Sequence, residues 1–216
     1  NILIKRHEAF KSLIHAKMLV LNNNVNPSWV TRETCNVDKI YTYENIKLAF
    51  VGDLDDPRKG FGYLIDAVFR LIDEGAPLTL HVVGGANCLD RYKDQYKNMP
   101  NIKFWGKLKD PLRVIKECDL LIVPSLADSF PNTILEAFYL ELPVIGSNVG
   151  GIPEMLRYED LVFTPTVEDL VVKLRDIINN KRLEVYREYS RKRKKELTFD
   201  WVDEVAALIQ PKSVAL

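Results

Sequence analysis

The sequence predicts an α/β domain built on a doubly wound parallel sheet, and three observations predict it. Short, β-branched, almost wholly apolar runs alternate along the chain with helical patterns, as a parallel sheet covered by helices on both faces requires. Gly84-Gly85 and Gly150-Gly151 each follow one of those runs, at the carboxyl ends of strands, where open α/β sheets hold their ligands. The 216 residues suffice for one full-sized domain with appended segments.

In chain order the expected strands are Lys47–Gly52, Leu78–Val83, Ile102–Trp105, Leu120–Val123, Pro143–Ser147 and Leu161–Phe163. Helical patterns lie between and after them, at Gly62–Asp73, Asp90–Asn98, Pro111–Glu117, Asn132–Leu140, Pro153–Arg157 and Val167–Asn179. A Rossmann-type half-unit is the natural fold. Each glycine pair reads either as a tight strand-to-helix turn or as room for a ligand. Before residue 47 order weakens, and the polar cluster Asn22 to Pro27 marks a linker or chain crossing. Beyond Lys181 the chain is helical and charged, with one basic run at Arg191-Lys192-Arg193-Lys194-Lys195. That run is either a solvated helix face or a contact to an anionic membrane surface. An apolar helical stripe from Trp201 to Ile209 needs something to pack on.

Composition narrows the function. Thirty basic and thirty acidic side chains give a formal net charge of zero, so the global positive field of a nucleic-acid binder is missing. Cys35, Cys88 and Cys118 are odd in number and far apart, which suits free thiols in a reducing compartment. His7, His15 and His81 form no metal-ligand spacing, and His81, at the end of an apolar run, reads as a packed core residue. Without a long apolar span or signal peptide, the chain is expected to be soluble and cytoplasmic.

The chemistry concentrates in two segments. Ala127 to Ala137 follows the apolar run Leu120–Val123, so it reads as strand, loop, then helix. Pro131 suits the first helical position, with Ser129 or Asp128 as the cap. The N–H groups of Asn132, Thr133 and Ile134 would then face the ligand edge as an anion site fit for phosphate. Glu136, one turn further on in an apolar stretch, either takes ribose hydroxyls or sits on the solvent face. The second segment, Val51 to Phe61, presents Arg58 and Lys59 just before a helix, as neutralisers of a diphosphate or as a charged solvated loop. Neither the dinucleotide glycine fingerprint nor the P-loop spacing is present.

Taken together these segments resemble the donor-binding, C-terminal half of GT-B-fold retaining glycosyltransferases, particularly family 4, from about Lys47 to Asn180. Gly52 and Lys59-Gly60 stand where that family has a strand-end glycine followed by Lys-Gly. Val82-Val83-Gly84-Gly85 and Phe104-Trp105-Gly106-Lys107-Leu108 resemble its next two strand ends, the latter its base-contacting stretch. Asp128 and Glu136 are acids separated by seven residues. Glu141-Leu142-Pro143-Val144-Ile145-Gly146-Ser147 and Val149-Gly150-Gly151-Ile152-Pro153-Glu154 follow in the family's order. The chain departs from the family at Asp128, where Glu is usual, and at Asp53, where Arg is common.

The resemblance implies a nucleoside-diphosphate-sugar donor, with Gly52, Arg58, Lys59, Gly84, Leu108, Asn132, Thr133, Ile134 and Glu136 lining its site. Lys59, Asp128 and Glu136 would form the catalytic set: Lys59 on the diphosphate, Glu136 on ribose, Asp128 near the reacting carbon of the sugar. No metal cofactor is expected, and the Asp53-Leu54-Asp55 letters fall in the first loop. The resemblance further implies a glycan or lipid-linked acceptor held by a missing N-terminal domain, of which residues 1–46 would be a remnant and linker. Residues 47–180 would be the donor domain, and 181–216 helices crossing back. Such a chain alone would transfer sugar poorly or not at all. A sugar-nucleotide 2-epimerase of the same fold, or a non-catalytic nucleotide-binding module, would share most of these features.

Overall fold

The computed structural model describes residues 39–85, 87, 89–199, 203, 205 and 206. Cys35, Cys88, His7, His15, the Asn22 to Pro27 cluster and all but Asp203, Val205 and Ala206 of the Trp201 to Ile209 stripe lie outside those residues.

Among the described residues six apolar segments become strands: β1 (Ile46–Val51), β2 (Leu78–Val83), β3 (Ile102–Gly106), β4 (Leu120–Val123), β5 (Val144–Ser147) and β6 (Val162–Phe163). They form one parallel sheet in the order β3-β2-β1-β4-β5-β6. Such an order is the Rossmann-like, doubly wound arrangement, with its switch point between β1 and β4. The pairing Leu48↔Leu120 and Ala49↔Leu121 brings the carboxyl ends of β1 and β4 level. Full burial of every residue of β2, β4 and β5 explains why their sequences are continuous apolar runs rather than alternating ones.

Seven α-helices among the described residues cover the sheet: α1 (Phe61–Asp73), α2 (Leu89–Gln95), α3 (Leu112–Ile115), α4 (Asn132–Tyr139), α5 (Ile152–Leu156), α6 (Val167–Asn179) and α7 (Leu183–Leu197). The buried stripe of α1, namely Phe61, Leu64, Ile65, Val68 and Leu71, recurs at three- and four-residue spacing and packs against α6. The helix α6 starts where the Thr166 hydroxyl accepts from the Asp169 amide at 3.2 Å. The strands β2 and β4 have the expected bounds, the other four differ from theirs by a residue at one or both ends, and α2 and α3 are shorter at one or both ends, a shift common where terminal turns fray.

The helix α4 packs against α7, and the basic run belongs to that contact. Arg191 Nε and Lys194 Nζ reach the two Glu141 carboxylate oxygens at 2.9 and 3.0 Å. Buried Arg193 donates through Nε to the Met155 carbonyl at 2.8 Å. Only Lys192 and Lys195 of the five stand exposed, so the other three work as an internal fastening rather than as part of a solvated face. The segment before β1 is fastened too: Arg187 Nη1 donates to the Lys39 carbonyl at 3.1 Å, and the Leu183 amide to the Tyr43 hydroxyl at 2.8 Å.

His81 and Cys118 are core residues. The imidazole is 7% exposed and accepts at Nδ1 from Trp105 Nε1 at 3.3 Å. Burial, with Lys103 and Lys47 nearby, lowers its pKa to about 4, so it is neutral. Burial raises the Cys118 thiol to about 12, far from a reactive thiolate. Among the described residues no helix is long and apolar enough to cross a membrane.

Candidate functional site

The loops after β1, β4 and β5 converge at the switch point. The first leaves β1 with the Gly52 amide donating to the Val83 carbonyl at 3.0 Å. It then makes a 3-10 turn, Pro57–Lys59, started by Asp56, whose Oδ1 accepts from the Arg58 amide at 2.9 Å. Gly60 ends that turn and begins α1 in the left-handed region, φ 68°. A Cβ there would stand 1.8 Å from the Pro124 carbonyl oxygen, so only glycine allows the two loops to touch. Two hydrogen bonds hold the contact: the Tyr63 hydroxyl donates to the Pro124 carbonyl at 2.5 Å, and the Leu126 amide to the Arg58 carbonyl at 2.6 Å.

This join carries Lys59 Nζ to 2.9 Å from Asp128 Oδ2, with side-chain exposures of 34% and 15%. Asp128 is tied down on two further sides. Its Oδ1 accepts from the Phe130 amide at 3.3 Å, and its carbonyl accepts from the Gly151 amide at 3.1 Å. Gly150, at φ 56°, lies so close that a Cβ would meet the Asp128 carbonyl oxygen at 1.8 Å. Gly150-Gly151 thus serves the packing of the β5 loop onto the β4 loop. Gly84 similarly lies against the Gly52 backbone, and its amide donates to the Gly106 carbonyl at 3.0 Å. Arg58 parts from Lys59: its guanidinium forks onto Asp56 at 3.0 and 2.8 Å and is 71% exposed.

At the start of α4 the structure corrects three expectations. Pro131, with φ −65° and ψ 123°, is the cap residue rather than the first helical one, and no side chain caps the helix. Its extended ψ is what lets the chain turn from loop into helix, while Asp128 spends Oδ1 on Phe130 instead. The Ile134 amide donates back to the Pro131 carbonyl at 3.1 Å, a tightened first turn that takes Ile134 out of the anion-binding set. Asn132, exposed, and Thr133, half-buried, remain at the helix start.

Glu136 lies one turn on, and it is not a solvent-face residue. Its Oε2 is buried and has no hydrogen-bond partner. Burial, together with the nearby Asp110 carboxylate, raises its pKa to about 7. Asp110 follows half-buried Leu108 in the loop after β3, where its Oδ1 accepts from the Leu112 amide at 3.2 Å and its Oδ2 pairs with Arg113 at 3.4 Å. Asp110 and Tyr63 are members of this region that spacing did not single out; an Asp-Pro pair opening a helix after a strand was the available signal for the first.

The first-loop acids are used within the protein: Asp53 Oδ1 accepts from the Asp55 amide at 2.9 Å, and Asp55 Oδ2 from the Asn87 amide at 2.5 Å. Among the described residues no three His, Cys, Asp or Glu side chains gather as metal ligands. The site thus offers a cation beside a helix start, suited to an anion, and a buried carboxyl short of donors, suited to hydroxyl groups.

Residues 45–180 match the family of glycosyl transferases group 1. The chain is 30% identical over 142 residues to the O-antigen biosynthesis glycosyltransferase WbnH of Escherichia coli, covering 66% of this chain and 40% of that protein. Among solved structures, it superposes with a TM-score of 0.64 and 21% identity on sucrose-phosphate synthase from Thermosynechococcus elongatus, covering 78% of this chain and 45% of that one. HepE of Anabaena in complex with UDP and glucose gives 0.63 and 21%, covering 77% and 48%. These neighbours share the α/β fold, and the chain spans less than half the length of each of these three proteins. A family match across the whole six-stranded sheet, on a site assembled at its switch point, gives the assignment: this chain belongs to the glycosyl transferases group 1 family.

Proposed function

We propose that this chain is the donor-binding half of a GT-B, family 4 glycosyltransferase that moves a hexosyl or related group from a nucleoside-diphosphate sugar with retention of configuration. The observation that carries the reading is Glu136 Oε2, buried without a partner at the ligand edge of the sheet. A buried carboxyl oxygen short of donors is what a ribose diol would satisfy. Lys59 holds the diphosphate, helped by the first-turn amides at Asn132 and Thr133, and Asp128 faces the donor sugar. Gly52, Gly84 and Leu108 shape the loops around the nucleotide. Lys59 and the dipole of α4 stabilise the departing nucleoside diphosphate, so the transfer needs no metal ion. The acceptor, a glycan or lipid-linked sugar, is held by a second domain; the O-antigen role in the name of one relative and the UDP-bound state of one structural neighbour support this reading.

Calorimetry of UDP, GDP and ADP against wild type and Glu136→Ala tests it. Charge-assisted hydrogen bonds contribute about 1.5–3 kcal/mol each, so the variant is expected to lose roughly tenfold or more in affinity. Equal affinities in the two proteins would remove Glu136 from the site.

A further inference from the structure

Lys59 has a partner within the protein. Its ammonium lies 2.9 Å from Asp128 Oδ2, although the donor-site reading asks it to hold a diphosphate. The two residues stand 69 positions apart in sequence, and the geometry that joins them is built rather than incidental. Gly60 against Pro124, Tyr63 on Pro124 and Leu126 on Arg58 fix the Lys59 loop to the Asp128 loop. On the other side, the Phe130 and Gly151 amides fix Asp128 itself.

We propose, resting on the donor-site reading, that Lys59 and Asp128 form an exchangeable bridge: the donor's diphosphate takes the Lys59 ammonium from Asp128, and the freed carboxylate accepts a hydroxyl of the sugar to be transferred. Each half of the exchange needs the other. A phosphate that takes Lys59 without supplying hydroxyls leaves Asp128, 15% exposed, as an unpaired carboxylate beside a second negative charge. A complete donor repairs that loss. Asp128 is therefore a positioning residue for Lys59 before the donor arrives, and its presence selects nucleotide sugar over bare nucleoside diphosphate. The Asp128 side chain is held by the Phe130 amide at one oxygen and by Lys59 at the other.

The experiment measures binding by the whole 216-residue chain of whichever of UDP, GDP and ADP binds wild type most tightly, its glucose conjugate, and the corresponding nucleoside. Asp128→Asn keeps the oxygen that accepts from Phe130 and removes the charge. It is expected to bind the diphosphate at least about threefold more tightly, from the worth of a partly exposed ion pair, with nucleoside affinity unchanged and the advantage of the sugar conjugate over the diphosphate reduced. Asp128→Glu should restore the wild-type pattern. In a Lys59→Ala background, Asp128→Asn should give much less gain.

Diphosphate affinity that is unchanged or lower in Asp128→Asn, while wild type binds diphosphate, overturns the exchange and leaves the donor-site reading standing. So does a full gain that persists without Lys59, which would make Asp128 a mere source of negative field. A wild-type chain that binds none of the three diphosphates overturns the donor-site reading itself.

Discussion

Glu136 combines burial with the absence of a partner, and the combination has a pH signature. Its pKa, raised from 4.5 to about 7 by burial and by Asp110, means that between those values the folded protein holds a proton that the unfolded chain has released. Stability from this residue is therefore complete below about 4.5 and declines as pH rises through about 7. Ligand binding should run the other way. Ribose hydroxyls donate to an ionised carboxylate, so nucleoside affinity should increase as pH rises from about 5.5 towards about 7 and level off above it. Glu136→Gln, which cannot ionise, should flatten both trends. A nucleoside is the suitable probe because it carries no phosphate to titrate over the same range. Affinity of wild type that is flat from about pH 5.5 to about pH 8, or a slope that survives in Glu136→Gln, would show that this carboxyl is not the group meeting the ribose.

At the scale of elements, the site helix α4 is braced from behind by α7 through Glu141. That residue, just past the end of α4, lies in the left-handed region, φ 54°, and receives both Arg191 and Lys194. Its burial alone would raise the pKa, but the hydrogen bonds from those two cations outweigh burial and hold it below the ordinary glutamate range. The bracing should consequently be present at neutral pH and be lost as pH falls below the unfolded value of 4.5. Glu141→Ala is expected to destabilise the fold by about 1–2 kcal/mol at neutral pH, a value kept low because Arg191 and Lys194 are 28% and 25% exposed. Urea unfolding at about pH 7 and about pH 3.5 measures it, and an equal midpoint for wild type and variant at neutral pH would reduce the brace to a surface decoration. The same elements show what a sequence can disclose. Strand runs such as Leu120 to Val123 were legible because a sheet buried on both faces leaves no polar alternation to blur them. The role of Arg191 to Lys195 was not, because a partner fifty positions away in Glu141 leaves no local pattern. Lys59 and Asp128 were each singled out by spacing or by family likeness, while their contact is set by glycine packing at positions 60 and 150 that only the folded loops reveal. Pro131 was placed one step too far into the helix because proline suits the cap and the first turn alike.

For the whole molecule, the sheet order fixes where a ligand's binding energy enters: the loops after β1, β4 and β5 are linked to one another by Gly60, Tyr63, Leu126 and Gly151. A nucleotide that spans Lys59 and Glu136 would therefore tighten contacts between both halves of the sheet and stabilise the entire fold. At a free concentration about a hundred times the dissociation constant, native-state binding adds about 2.7 kcal/mol. A chain of this size shifts its melting temperature by about 2–4 °C per kcal/mol, so the expected rise is about 5–10 °C. On the proposed reading, in which Lys59 and backbone amides hold the anion, the rise should be the same with EDTA as with added magnesium. With the chain spanning 40% of a curated relative's length, the acceptor side of the reaction is expected to lie outside it, so donor binding should occur without sugar transfer to glycan acceptors. Thermal shift with UDP, GDP and ADP, paired with a transfer assay on the same preparation, checks both statements. Loss of the shift in EDTA would require a metal-dependent site, and turnover by this chain alone would require an acceptor site within these residues.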